Sequence, residues 1–124
     1  MAKKFIKNKG SLPLSDAILC DDKYTMEISG QIGIDIQTEK LAEGIENQTI
    51  HALEKISTIL KEIGWNLENV IKVRVYLTDM KNYSKMNGVY QRYFKKDYPT
   101  RVALAVKELP LGALIEIECV ACGN

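Results

Sequence analysis

The sequence predicts an α+β domain in which two helices cover one face of a mixed β-sheet. Apolar residues recur at helical spacing in two stretches and alternate at strand spacing in five, in the order β-β-α-β-α-β-β. The length agrees with this: 124 residues are enough for one domain, 1–124, able to bury roughly two thirds of its unfolded surface. There is no linker, repeat or low-complexity segment, and the prolines stand at 13, 99 and 110.

After a polar start, Ala17 to Cys20 and Tyr24 to Ser29 read as two short strands around a turn at Asp21-Asp22-Lys23. Gly30-Gln31-Ile32-Gly33 breaks the alternation, and an irregular loop is expected as far as Gly44. From Ile45 to Ile63 the period becomes helical, with Ala52, Leu53, Ile56, Ile59, Leu60 and Ile63 on one stripe and Gly64 as the stop. Val70 to Leu77 alternates again. A second helix is expected from Tyr83 to Lys95, with Tyr83, Met86, Tyr90, Tyr93 and Phe94 on its apolar stripe. Arg101 to Val106 and Leu114 to Ala121 complete the strands, joined through the turn-forming Glu108-Leu109-Pro110-Leu111-Gly112.

The strands suggest an apolar face made of Met26, Ile28, Val73, Val75, Val102, Leu104, Val106, Ile115, Ile117 and Cys119. The opposite face then carries Glu27, Ser29, Lys72, Arg74, Tyr76, Arg101, Ala103, Ala105, Glu116 and Glu118. Two helices cannot cover both faces, so the second meets water or another subunit. If the last two strands close as a hairpin around Pro110-Leu111, Ala103 lies opposite Glu118 and Ala105 opposite Glu116. Arg101, Glu116 and Glu118 then share one face.

Opposite charges on a sheet face commonly form a solvated surface of weak ion pairs. Ala103 and Ala105 beside Arg101 leave shallow space, as a pocket or subunit seam would. There Arg101 could hold a carboxylate through a planar two-point contact, and a nearby glutamate could position water or carry a proton. Other constellations are weaker. His51 is the single histidine and falls on the outward helix face with Glu54, Lys55 and Thr58, which counts against a catalytic triad or a histidine-rich metal site. Cys119 and Cys122 have CxxC spacing, but a strand turns them to opposite faces and no second pair exists. Gly30 to Gly33 lacks the lysine and following helix of a phosphate loop.

Seventeen basic residues against sixteen acidic ones give a formal charge of +1, so nothing draws the chain to nucleic acid or an anionic membrane. No run approaches the ~20 apolar residues of a membrane span. Three cysteines with no secretory signal lead us to expect a cytoplasmic protein.

Several segments carry a family resemblance. They are Ser29-Gly30-Gln31-Ile32; Val70 to Met80 (VIKVRVYLTDM); Met86 to Phe94 (MNGVYQRYF); and Tyr98-Pro99-Thr100-Arg101 followed by Leu109 to Glu118 (LPLGALIEIE). Together they are similar to the RidA (YjgF-like) family, also called L-PSP proteins, from about Ser11 to Ala121. The resemblance implies a chorismate-mutase-like fold and a homotrimer whose sheets form a central barrel with clefts between subunits. It also implies deaminase activity, the hydrolysis of reactive enamines and imines such as 2-iminobutanoate and 2-iminopropanoate to 2-oxo acids and ammonia, with no metal or organic cofactor.

Carried over by residue, Arg101 would bind the substrate carboxylate and Glu116 would hold or activate the attacking water. Ser29, the N–H of Gly30 and Asn87 would line the cleft, with Glu118 a structural partner. The family's Pro-Tyr-Ser-Gln segment is Pro13-Leu14-Ser15-Asp16 here, so Leu14 replaces a cleft tyrosine. Ala103 stands where many members have cysteine, and the span from Pro13 to Ser29 is about two residues longer than usual. Two other functions are attached to this reading: an endoribonuclease that inhibits translation, and a non-catalytic trimer that binds small carboxylates.

Overall fold

The alternating segments assemble around the last strand of the chain in a computed structural model that describes residues 3–124. Along it run β1 (Lys3–Lys7), β2 (Ser15–Cys20), β3 (Tyr24–Ile32), β4 (Ile34–Asp35), β5 (Lys40–Leu41), α1 (Gly44–Lys61), β6 (Val70–Leu77), α2 (Tyr83–Tyr93), β7 (Thr100–Ala105) and β8 (Ile115–Gly123). The main sheet has the order β3-β8-β6-β7 and is mixed: β8 runs antiparallel to both β3 and β6, while β6 and β7 are parallel. Both helices pack on one side of it, as expected.

Burial explains the elements. In β6, Val73, Val75 and Leu77 are fully buried, and so are Ile115 and Ile117 of β8. A register shift between Val70 and Lys72 turns Val70 inward as well. Helix α1 buries Ala52, Leu53, Ile56 and Leu60. It ends two residues before Ile63, which is therefore exposed. Gly64 at φ +76° lets its own N–H reach Lys61 O and the Trp65 N–H reach Leu60 O, closing the helix end. Gly33 is required by close packing: a β-carbon there would stand 2.7 Å from the carbonyl carbon of Gln48. Buried Gln48 donates to Ala42 O at 2.9 Å and accepts from Leu114 N at 2.8 Å, so its amide is satisfied on both ends.

Several expectations are corrected. The polar start contains β1, whose lysines hide its alternation, and β2 pairs with β1. The strands flanking Asp21-Asp22-Lys23 therefore have different partners, since β3 pairs with β8. The expected loop from Gly30 to Gly44 holds the end of β3 and the small β4–β5 ladder. Helix α2 stops at Tyr93 rather than Lys95, because Phe94 is already extended.

The largest correction concerns the last two strands. They are not a hairpin: β6 lies between β7 and β8. The Pro110–Gly112 segment is a 3-10 turn, with Leu111 at φ 59°, that carries the chain past β6. In the parallel register Val73 faces Arg101 and Val75 faces Ala103. Arg101 and Ala103 are thus on the helix-covered face, and Val102 and Leu104, 50% and 38% exposed, are on the open one. Glu116 and Glu118 pair with Tyr76 and Arg74 on that open face. The arginine and the glutamates do not share a face.

Candidate active site

Arg101 leaves β7 beneath α2. Its Nη1 donates to Asn87 Oδ1 at 2.7 Å and its Nη2 donates to the Tyr83 hydroxyl at 3.0 Å. The guanidinium carbon lies 4.7 Å from the centre of the Tyr90 ring and 5.6 Å from that of Tyr83. No carboxylate pairs with it among the described residues. A half-buried cation held only by neutral groups keeps its charge available for an anion.

A cleft of about 300 Å³ runs beside this arginine, lined by Leu14, Ser15, Asp16, Lys72, Thr100 and Arg101 among others. The start of β2 is held there by two bonds: Ser15 N–H donates to Pro99 O at 3.1 Å, and the Ser15 hydroxyl donates to Tyr98 O. Leu14 is therefore brought to the same cleft as Arg101.

The second group gathers on the other side of the sheet. Glu116 of β8, half-buried, pairs with Ile32 of β3 on one side and Tyr76 of β6 on the other, and its carboxylate crosses Gly30. A β-carbon at position 30 would stand 2.7 Å from Glu116 Cδ and overlap the carboxylate. The glycine belongs to the irregular stretch of β3 between Ile28 and Gln31, where the register shifts. Ser29 lines a shallow depression of about 240 Å³ with Glu27, Lys72, Arg74 and Glu118. Glu118 accepts the Tyr76 hydroxyl and lies 3.6 Å from Arg74 Nη1. Holding the phenol proton against Glu118 raises the Tyr76 pKa, helped by burial. Glu116 makes no ion pair among the described residues.

Arg101 pairs with Val73 and Glu116 with Tyr76, three residues along β6. At about 3.3 Å per residue and about 4.8 Å per strand, their Cα atoms are on the order of 14 Å apart, with side chains on opposite faces. Arg101, Asn87 and Leu14 therefore form one group, and Ser29, Gly30 and Glu116 another. Ala103 lies against the core.

Tyr83 and Tyr90 were visible in the sequence only as core residues. With Asn87 they are spaced i, i+4, i+7, which on a helix is one face, and that face receives Arg101. His51 lies 3.9 Å from Asp35 and half-exposed. The three cysteines are free, and burial pushes the Cys119 thiol up to about 12. No group of three or more metal-ligating side chains occurs among the described residues. Among the described residues no helix is long and apolar enough to cross a membrane.

A family model described as Endoribonuclease L-PSP matches residues 10–122. A RutC family protein of Aquifex aeolicus is 48% identical over 76% of this chain and 77% of its own length. The human 2-iminobutanoate/2-iminopropanoate deaminase is 41% identical over 88% of this chain and 79% of its own. The crystal structure of RidA from a Psychrobacter species superposes with a TM-score of 0.77 at 32% identity, covering 94% of each chain. By its fold, its length of match and its relatives, this chain belongs to the endoribonuclease L-PSP family, the family of the RutC and RidA proteins.

Proposed function

We propose that the protein hydrolyses small imines derived from amino acids to 2-oxo acids and ammonia, at a site completed between copies of a cytoplasmic homotrimer. The observation that carries this reading is the uncompensated guanidinium of Arg101 beside a cleft, while the carboxylate of Glu116, unpaired among the described residues, is on the opposite sheet face. A molecule as small as a 2-imino acid cannot touch both in one chain. Arg101 of one copy and Glu116 of a second can meet if the open face packs against a neighbour. Val102 and Leu104, apolar and exposed there, suit such packing. The name of the human relative supports the reaction.

In this reading Arg101 binds the substrate carboxylate and fixes the imine carbon before Glu116. Glu116 accepts a proton from water as the oxygen bonds to that carbon, giving a carbinolamine. It returns the proton to nitrogen, and as the C–N bond breaks and ammonia leaves Glu116 takes the proton of the carbinolamine hydroxyl, so that the C=O of the 2-oxo acid forms. An imine is already electrophilic, so no side-chain nucleophile is needed. The test is imine loss in a coupled amino-acid oxidase assay with semicarbazide trapping. Arg101→Ala should abolish the acceleration; equal rates for variant and parent would overturn the proposal. Leu14 favours a second reading, a non-catalytic carboxylate-binding trimer, which predicts 2-oxo acid binding with no acceleration by the parent protein.

A further inference from the structure

We infer that Tyr90 is a positioning residue that holds Arg101 through the face of its ring, so that the arginine is oriented without being neutralised. Tyr90 is fully buried, stacked on Phe94 at 4.6 Å, and its ring is nearer the guanidinium than that of Tyr83. Among the described residues its hydroxyl has no hydrogen-bond partner, although burial makes an unmet polar group costly. What Tyr90 offers Arg101 is therefore its π-face, not its oxygen.

An arginine sandwiched by a carboxylate would have its charge spent. A ring attracts the cation through its quadrupole and leaves the net charge intact. The in-plane direction is then set by Asn87 on Nη1 and Tyr83 on Nη2, with Met86 Sδ a weak third acceptor 4.0 Å from Nη1. A guanidinium has five N–H donors. Among the described residues these three contacts leave the Nε–H and one Nη2 hydrogen uncommitted, two donors with which an arginine can hold a carboxylate. Tyr90 fixes the plane in which that pair is presented.

The test replaces Tyr90 by phenylalanine and by trifluorophenylalanine, near-isosteric rings of falling face potential that preserve the packing. Arg101 Nε–H hydrogen exchange is followed by NMR in 15N-labelled protein, the resonance being assigned by its loss in Arg101→Lys. Tyr90→Phe should keep the exchange rate within about twofold, and the fluorinated ring should raise it about tenfold, the range a cation–π contact spans. Equal exchange in all three proteins would overturn the inference. The kinetic arm rests on the imine-hydrolysis reading: KM for the imine should rise with the fluorinated ring while kcat changes little. Should the parent protein hydrolyse no imine, that reading fails while the exchange measurement still decides the role of Tyr90.

Discussion

The carboxylate of Glu116 lies so close over Gly30 that no other residue at position 30 leaves it in place. Conformational freedom is not the reason, since this glycine has no left-handed φ. Space is, and the acid sits where it does because the glycine has no side chain. On the proposed reaction, Gly30→Ala should therefore lower kcat at least about tenfold with modest loss of stability, because it displaces the carboxylate proposed to carry the proton. Imine turnover measured beside thermal unfolding checks this; a normal kcat would separate Glu116 from the chemistry.

Arg101→Lys keeps the charge but loses the planar fork that Asn87 and Tyr83 orient. A drop of about a hundredfold in kcat/KM is expected, as for loss of a two-point charged contact. Parent-like kinetics in the lysine variant would show that charge alone suffices.

Separation of Arg101 and Glu116 on opposite faces makes a mixing experiment decisive. Arg101→Ala and Glu116→Gln subunits, each inactive alone, should regain activity when unfolded and refolded together at equal amounts. Random assortment places an intact arginine next to an intact glutamate in about a quarter of the sites. Recovery of nothing would mean that both groups are needed from one chain.

Tyr90→Phe removes a buried hydroxyl that has no partner among the described residues. The variant should be more stable by about 1 kcal/mol in urea unfolding, the release of an unmet polar group. Gly33→Ala does the reverse. Its methyl meets the Gln48 backbone, and a loss of about 2 kcal/mol is expected from the forced shift of α1.

Burial pushes the Cys119 thiol from its ordinary 9.0 up to about 12, and burial with the Glu54 bond pushes the Tyr93 phenol from 10.0 to about 12. Both groups hold their protons more tightly folded than unfolded. The stability they contribute is present below pH 9 and is lost as pH rises from 9 towards 12. Urea midpoints should fall through that window, and less steeply in Cys119→Ala. A flat profile to pH 12 would contradict the burial of these groups.

Periodicity was a sound guide to α1, α2, β6 and β8, because each buries a continuous stripe or face. It misread β7. There the apolar pair Val102 and Leu104 faces outward, and the small Ala103 faces the core next to a charged Arg101. An edge strand bordering an open face carries no rule for which side is apolar. Strand order was equally hidden: nothing in Leu109 to Ala113 distinguishes a hairpin turn from one that passes over β6. The residues around Arg101 are legible in the sequence as a helix stripe. Their role came from the parallel crossover that sets β7 beneath them.

That crossover has a kinetic meaning. The groups that hold Arg101 precede it by 14 and 18 residues, within one strand–helix–strand unit. Gly30 and Glu116 come from opposite ends of the chain and meet only when β3 docks on β8. Short loops close at low entropic cost and long ones late. Loop closure alone therefore favours early contact of Arg101 with Asn87 and Tyr83 and later contact of Glu116 with Gly30, so the two groups of side chains are separated in folding order as they are in space.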